Sequence, residues 1–365
     1  MKMPAELIRE EILRDGAIPF ARFMELALYC PETGYYERNR DNVGRAGDFI
    51  TSVSTGSLFG ELLAFQFGAW LENLKQFRTS NSPLHIVEAG AHDGKLAADI
   101  LSWLKSNRTD LFGEIEYLIV EPSTTRQQWQ RERLKQFSNV RWATNLGDHT
   151  SLTGICISNE LLDAFPVRRL GWDAKNKIWF EHMVESSGEQ FVWTRSVGGL
   201  KNTELPAAIG ALPPSLLEVL PDGYSIEVSP AAETWWSNTA KHFGHGKLVA
   251  IDYGFSADEI ISPSRSKGTL RAYFKHQVND DLLANPGEQD LTAHVNFSAI
   301  QKCGEDAGLK TEVFCTQPQF LTRILSEAVK QNLFSPLTPN QIRQFQTLTH
   351  PNHLGRAFRV LVQSR

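Results

Sequence analysis

From Leu84 onward the chain alternates short apolar runs with amphipathic segments, and this alternation constrains the fold more than any other feature. Leu84–Ala89, Tyr117–Val120, Val140–Ala143 and Gly154–Ser158 read as strands. Helical patterns through Leu104 and over 124–137 fall between them. Such alternation places a parallel sheet between layers of helix. Lys247–Ile251 reads as a fifth strand, and Lys310–Cys315 and Ala357–Val362 as the last two, with helices over 318–330 and 339–348 between them. A pair of closing strands departs from the repeated half of a dinucleotide dehydrogenase.

Two regions stand apart from this rhythm. Residues 5–14, 20–30 and 57–77 read as helices before the first strand, giving an N-terminal helical cap over 1–80 and a main domain over 81–365. Val167–Leu170, Lys177–Val184 and Gln190–Thr194 read as three strands separated by turns. With the Pro-rich connector near Pro206, Pro213 and Pro214 they form an antiparallel insertion over about 166–226.

Composition narrows the partners. A net charge of −5 on 365 residues supplies no basic surface of the kind that duplex nucleic acid attracts. A basic peptide remains open as a partner, as does a homodimer. Cys30, Cys156, Cys303 and Cys315 form neither C-x-x-C nor a zinc-ligand spacing with His, so buried thiols and no metal dependence are expected. No apolar run is long enough to span a bilayer. The first residues carry Glu6, Glu10, Glu11 and Asp15, unlike an Arg-rich, acid-poor presequence, and a cytoplasmic protein is expected.

Candidate site residues gather where strands end. Glu88-Ala89-Gly90-Ala91-His92-Asp93-Gly94 links the first strand to its helix. Gly90 and Gly94 permit positive φ and close backbone approach to a ligand, while the G-x-G-x-x-G spacing of a pyrophosphate loop is missing. Glu88 suits a cationic ligand group; an ordinary strand-to-helix turn is the alternative. Glu121 ends the second strand, where a carboxylate can accept both hydroxyls of a ribose; nicotinamide enzymes share that feature, and a surface acid is the plainer reading. Together the two segments favour a nucleoside at the carboxyl edge of the sheet. Asn159-Glu160-Leu161-Leu162-Asp163 ends the fourth strand. Glu160 and Asp163, on one face of a helical turn, could hold a guanidinium by fork-like hydrogen bonds. Asn159 capping a helix with acids in its first turn explains them equally. His294 is a candidate base or substrate contact, with a capping or core histidine as the alternative.

Taken in order, these segments resemble the MidA-like methyltransferase family, whose members include a mitochondrial complex I assembly factor. The resemblance rests on Pro31–Tyr36, Gly47–Ser52, Leu58–Glu61, Asn159–Val167, Ile251–Gly254, Gly268–Arg271, Asn285–Gly287 and Asp290–Phe297, and covers nearly the whole chain. It implies a seven-stranded, Rossmann-like class I methyltransferase sheet in the α/β class, with the N-terminal cap helping to enclose S-adenosyl-L-methionine. Phe49, Thr51 and Ser52 would border that cofactor, and Glu88, Gly90, Gly94, Glu121, Leu146 and Asn159 would hold it. Glu160, Asp163 and His294 would be catalytic. The mitochondrial relative methylates a protein arginine, so a protein-arginine acceptor is expected. A small-molecule O- or N-methyltransferase, with the insertion closing a pocket, is the alternative within the fold. A catalytically weak assembly factor that retains the cofactor is the alternative outside enzymology. Two departures stand out: family loops usually read Gly-Pro-Gly-x-Gly where this chain has His92 as the middle residue, and the usual Asp of the His-Val-Asp-Phe segment is Asn296.

Overall fold

The computed structural model describes residues 2–38, 51–79, 82–274, 277–334 and 336–365. In chain order the strands are β1 (Ile18–Pro19), β2 (Leu84–Ala89), β3 (Ile115–Val120), β4 (Val140–Ala143), β5 (Leu152–Asn159), β6 (Arg168–Asp173), β7 (Ile178–Ser187) and β8 (Gln190–Arg195). They continue as β9 (Ser225–Val228), β10 (Phe243–Phe255), β11 (Arg271–Phe274), β12 (Gln277–Asn279), β13 (Asp290–Thr292), β14 (Val295–Asn296), β15 (Lys310–Thr316) and β16 (Phe358–Ser364).

The chain divides into two compact units, each assembled from three segments. One takes residues 1–39, 163–235 and 254–300, and the other 40–162, 236–253 and 301–365. The residues expected to form a cap, 1–80, are shared between the two.

The second unit holds the main sheet, in the order β15-β16-β10-β5-β2-β3-β4. β2, β3, β4, β5 and β10 run parallel, while β16 is antiparallel to both of its neighbours. These are the seven strands expected of a class I methyltransferase sheet, and β14 adds an eighth by pairing parallel to the end of β10. A parallel strand covered on both faces must be apolar nearly throughout, and β5 is buried from Leu152 to Ser158. The covering helices include Leu58–Leu74 and Lys95–Asn107, whose Phe59, Phe67, Leu101 and Leu104 share one core with Tyr117, Ile155, Phe320 and Val360.

In the first unit the insertion strands β6 and β7 lie within the order β1-β7-β6-β9, with β8 beside β7. Helices Pro4–Asp15 and Phe20–Tyr29 belong here: Ile8, Phe20, Phe23 and Leu28 form a core with Val184, Leu270 and Leu291. Leu170, Trp172, Trp179 and Ile226 pack with Ile260 in another. β11 pairs with β12 and β13 in a small antiparallel sheet. Asn296, where the family usually has Asp, accepts the Ala299 N–H through Oδ1 at 3.2 Å and so caps the helix Phe297–Asp306. A cap needs only an acceptor oxygen, which either side chain offers.

Candidate active site

Strand register brings the candidate cofactor residues level. Ala89 pairs with Val120 on one side and with Ser158 on the other, and Asn159 pairs with Ile251. The residues that follow, Gly90, Glu121, Glu160 and Asp252, therefore form a row along the carboxyl edge. The chain winds outward from β2 through β3 to β4 and, in the other direction, from β5 to β10. The ligand crevice of such a sheet lies where the winding reverses, at β2 and β5.

The loop after β2 is a run of unusual backbone. Gly90, His92 and Gly94 have φ of 74°, 46° and 83°. A Cβ on Gly90 would also lie 2.8 Å from Leu161 Cδ1, so that position excludes a side chain twice over. His92 takes the left-handed conformation with a side chain attached, which costs about 1–2 kcal/mol and which a glycine, the residue the resemblance leads one to expect there, would avoid. Gly94 precedes the helix Lys95–Asn107, whose first turn leaves its N–H groups unsatisfied by the helix itself.

Both acids beside this loop are buried. Glu88 Oε2 accepts the Tyr117 hydroxyl at 2.6 Å. Burial pushes its carboxyl up to about 7, against the pull of that hydrogen bond and with help from the charges of Asp93 and Asp99. Glu121 Oε1 accepts the Ser123 N–H at 2.9 Å and Arg126 Nε at 3.0 Å, and Oε2 accepts Gln130 Nε2 at 3.2 Å. An ionised carboxylate has about four acceptor sites, so Oε2 retains capacity for a hydroxyl. Leu146, beyond β4, is buried.

At the end of β5, Glu160 also takes left-handed backbone, with φ of 51°. Its N–H donates to the Ile251 carbonyl at 2.9 Å. Its Oε1 accepts the Ser52 N–H and Asn159 Nδ2, each at 3.1 Å. Asp252 Oδ2 accepts the N–H groups of Leu161 and Leu162 at 3.1 and 2.8 Å. Burial, and then the nearby Asp252 charge, raise the Glu160 carboxyl to about 8, although Asn159 and the Ser52 N–H favour its ionised form. Three buried atoms here have no hydrogen-bond partner: Ser158 Oγ, Asn159 Oδ1 and Glu160 Oε2. Buried polar atoms are nearly always paired, so three consecutive residues with unpaired atoms set this strand end apart.

Ser52 is fully buried, and its Oγ donates to Gln317 Oε1 at 3.1 Å. Thr51 is buried and turns with Ser54, whose N–H reaches Thr51 Oγ1 at 3.1 Å. Phe49 lies outside the described residues. Asp163 and His294 belong to the first unit, where the Ala293 N–H donates to the Asp163 carbonyl at 3.0 Å. The His294 ring stacks on Phe255 at 4.9 Å, and its N–H donates to Thr269 Oγ1 at 3.2 Å. The helical turn expected to align Glu160 with Asp163 is absent: left-handed backbone at Glu160 is followed by the single 3-10 turn Leu162–Ala164. Nor does Asn159 cap a helix. It ends β5 and donates to Glu160. Sequence reading placed Ser158 at the end of its strand without naming it as a candidate, and passed over Gln130 because a polar residue on a polar helix reads as solvent-facing.

Over residues 62–315 the sequence matches the family described as "Putative S-adenosyl-L-methionine-dependent methyltransferase". The chain belongs to this methyltransferase family. Among similar curated proteins is the Drosophila melanogaster "Protein arginine methyltransferase NDUFAF7 homolog, mitochondrial", 30% identical over 98% of this chain and 84% of its own length. The Danio rerio protein of the same kind is 27% identical over 96% of this chain and 84% of its own length. A Burkholderia thailandensis crystal structure, described as that of a "likely methyl transferase" bound to S-adenosyl-homocysteine, superposes with a TM-score of 0.85 at 29% identity, covering 99% of this chain and 92% of that one.

The methyltransferase uses S-adenosyl-L-methionine, and its residues fit that group. A Cβ on Gly90 would meet Leu161 Cδ1 at 2.8 Å, Glu121 Oε2 accepts Gln130 Nε2 and has further acceptor capacity of the kind a ribose hydroxyl needs, and unpaired acceptors end β5. The expected cytoplasmic location is corrected by these relatives, which are named as mitochondrial proteins. That reading took acidic side chains at the start of the sequence as evidence against a presequence, and charge at that point does not report where a protein of this family resides. Among the described residues no helix is long and apolar enough to cross a membrane.

Proposed function

We propose that this methyltransferase transfers a methyl group to an arginine side chain of a protein partner. The supporting observation is the set of unpaired acceptors at the end of β5, Asn159 Oδ1 and Glu160 Oε2. A guanidinium carries five N–H donors, stays protonated in proteins and suits a carboxylate held in fixed orientation. The relatives' names agree with that acceptor.

When bound, the cofactor supplies a methyl group already activated by its sulfonium. The chain then has to orient, exclude water and handle one proton. The Ser52 N–H and Asn159 Nδ2 fix Glu160 through Oε1, which leaves Oε2 to hold the acceptor nitrogen and to take its proton as the new N–C bond forms. A cation arriving at Oε2 favours the ionised carboxylate, so binding displaces the proton that burial keeps on Glu160. Asp163 and His294 enter the same proposal as catalytic residues, to be tested by Asp163→Asn and His294→Ala. The test of the acceptor is to incubate the enzyme with methyl-labelled S-adenosyl-L-methionine and a protein extract, then hydrolyse the protein and separate its amino acids. Label in methylated arginine is expected; label confined to small molecules, or to lysine, would refute the proposal.

A further inference from the structure

Helix Thr124–Leu134 runs beside the cofactor loops, and one of its buried residues is a glutamine. Gln130 is 0% exposed. Its Nε2 donates to the His92 carbonyl at 2.9 Å and to Glu121 Oε2 at 3.2 Å, while its Oε1 accepts Trp142 Nε1 at 3.0 Å. One amide thus joins the loop after β2, the end of β3 and the strand β4. Its neighbours on the helix face act in the same direction. Four residues earlier, Arg126 donates to Glu121 Oε1; three residues later, Arg133 Nε donates to the Asp93 carbonyl at 3.1 Å and Nη2 pairs with the Asp93 carboxylate. Residues at this spacing share a helix face.

A buried amide stabilises a fold poorly compared with an apolar side chain of its size unless every polar atom is satisfied. Here both N–H groups and the carbonyl are engaged, and two of the three bonds end on the segments that hold the cofactor. We infer that Gln130 is a positioning residue for S-adenosyl-L-methionine: it fixes the spacing between the Gly90–Gly94 loop, on the methionyl side, and Glu121, on the ribose side. The same bond restrains the left-handed backbone at His92, a restraint that a loop with glycine there needs less. Gly94, with φ of 83°, sits against the same helix, where a Cβ on it would lie 3.2 Å from Leu134 Cδ1.

The test uses the full chain and calorimetry with S-adenosyl-homocysteine at pH 8 and pH 6, with circular dichroism and thermal melting as the check of folding. Gln130→Leu should raise Kd at least tenfold while the dichroism spectrum is retained. Gln130→Glu preserves the shape but sets a second carboxylate beside Glu121. At pH 8 it should bind at least tenfold more weakly than wild type. At pH 6 the new acid gains a proton that it can donate, and the ratio to wild type at the same pH should shrink severalfold. Glu121, His92 and Asp93 are the titratable groups bonded through this network, with Arg126 and Arg133 as the fixed charges, and all are common to both proteins. A role in packing alone would leave that ratio independent of pH. Binding by Gln130→Leu within twofold of wild type, or an unchanged Gln130→Glu ratio at the two pH values, would overturn the inference. If Gln130→Leu does not fold, the Gln130→Glu ratio decides. None of these readings depends on the identity of the methyl acceptor.

Discussion

Glu160 combines three costs in one residue: left-handed backbone, a buried carboxyl and an oxygen without a partner. Each is tolerated at a site that gains from it and selected against elsewhere. If Oε2 holds the acceptor, Glu160→Gln should lower turnover by about 100-fold, in the range of other positioned acid–base groups. Cofactor affinity, read by calorimetry, should change by less than about threefold, because charge at the acceptor rather than at the nucleoside is lost. Glu160 must be ionised to bind a cation, and its carboxyl titrates at about 8. The acceptor kcat/KM should therefore climb nearly tenfold per pH unit below that value and level off above it. A profile flat between pH 6 and 9 would remove Glu160 from the reaction. The sequence pointed to this residue through its neighbours in the Asn159–Val167 motif. It misread the geometry, because a three-residue spacing suggests a helical face only where the backbone is helical, and a positive φ leaves no mark in residue type when the residue is not glycine.

At the level of elements, periodicity made the main sheet readable. β2 and β4 have the boundaries expected of them, and the other strands of that sheet differ by a few residues at their ends. Their apolar runs are long because both faces are covered. β1, β9 and β11 to β14, two to four residues long, escaped detection because they lie outside the strand–helix alternation that made the equally short β4 legible. The three strands of the insertion were visible because β6, β7 and β8 are longer and bounded by turns. The loop after β2 was legible through Gly90 and Gly94, and its strictness can be measured. Gly90→Ala meets both a φ of 74° and Leu161 Cδ1 at 2.8 Å, so it should weaken S-adenosyl-homocysteine binding at least tenfold and lower stability by about 1–3 kcal/mol. Adding Leu161→Ala removes the collision but not the backbone strain, and should restore only part of the loss. Full recovery in the double variant would mean that the contact, and not φ, enforces the glycine. His92→Gly tests the opposite case: with φ at 46°, it should be stability-neutral or gain up to about 1 kcal/mol in denaturant melts.

Across the whole molecule, each compact unit draws on segments far apart in sequence, and the main sheet closes only when the last strand, β16, enters between β10 and β15. Stability is then a property of long-range pairing around a sheet whose working edge carries two buried acids, Glu88 and Glu160. Their carboxyls ordinarily titrate near 4.5, and in the fold they rise to about 7 and about 8, in both cases chiefly through burial. Between the unfolded and folded values the native state holds protons that the unfolded state has released. Stability therefore falls as pH rises through that window, and the decline stops once the folded value is passed. The cofactor-free protein should accordingly lose Tm steadily from about pH 5 to pH 8 through these two groups. Glu88→Gln should flatten the part below about 7 and Glu160→Gln should flatten the slope up to about 8. The double variant should be closer to pH-independent and, at pH 8, more stable than wild type, since neither amide has to ionise in the interior. The two substitutions should separate in function: a stabilised Glu160→Gln protein that binds cofactor and fails to transfer methyl would show that the buried charge is kept at a cost to the fold because the reaction needs it. A wild-type Tm that rises between pH 5 and pH 8, with no change on either substitution, would mean that both acids are ionised in the native state and that burial does not govern this edge of the sheet.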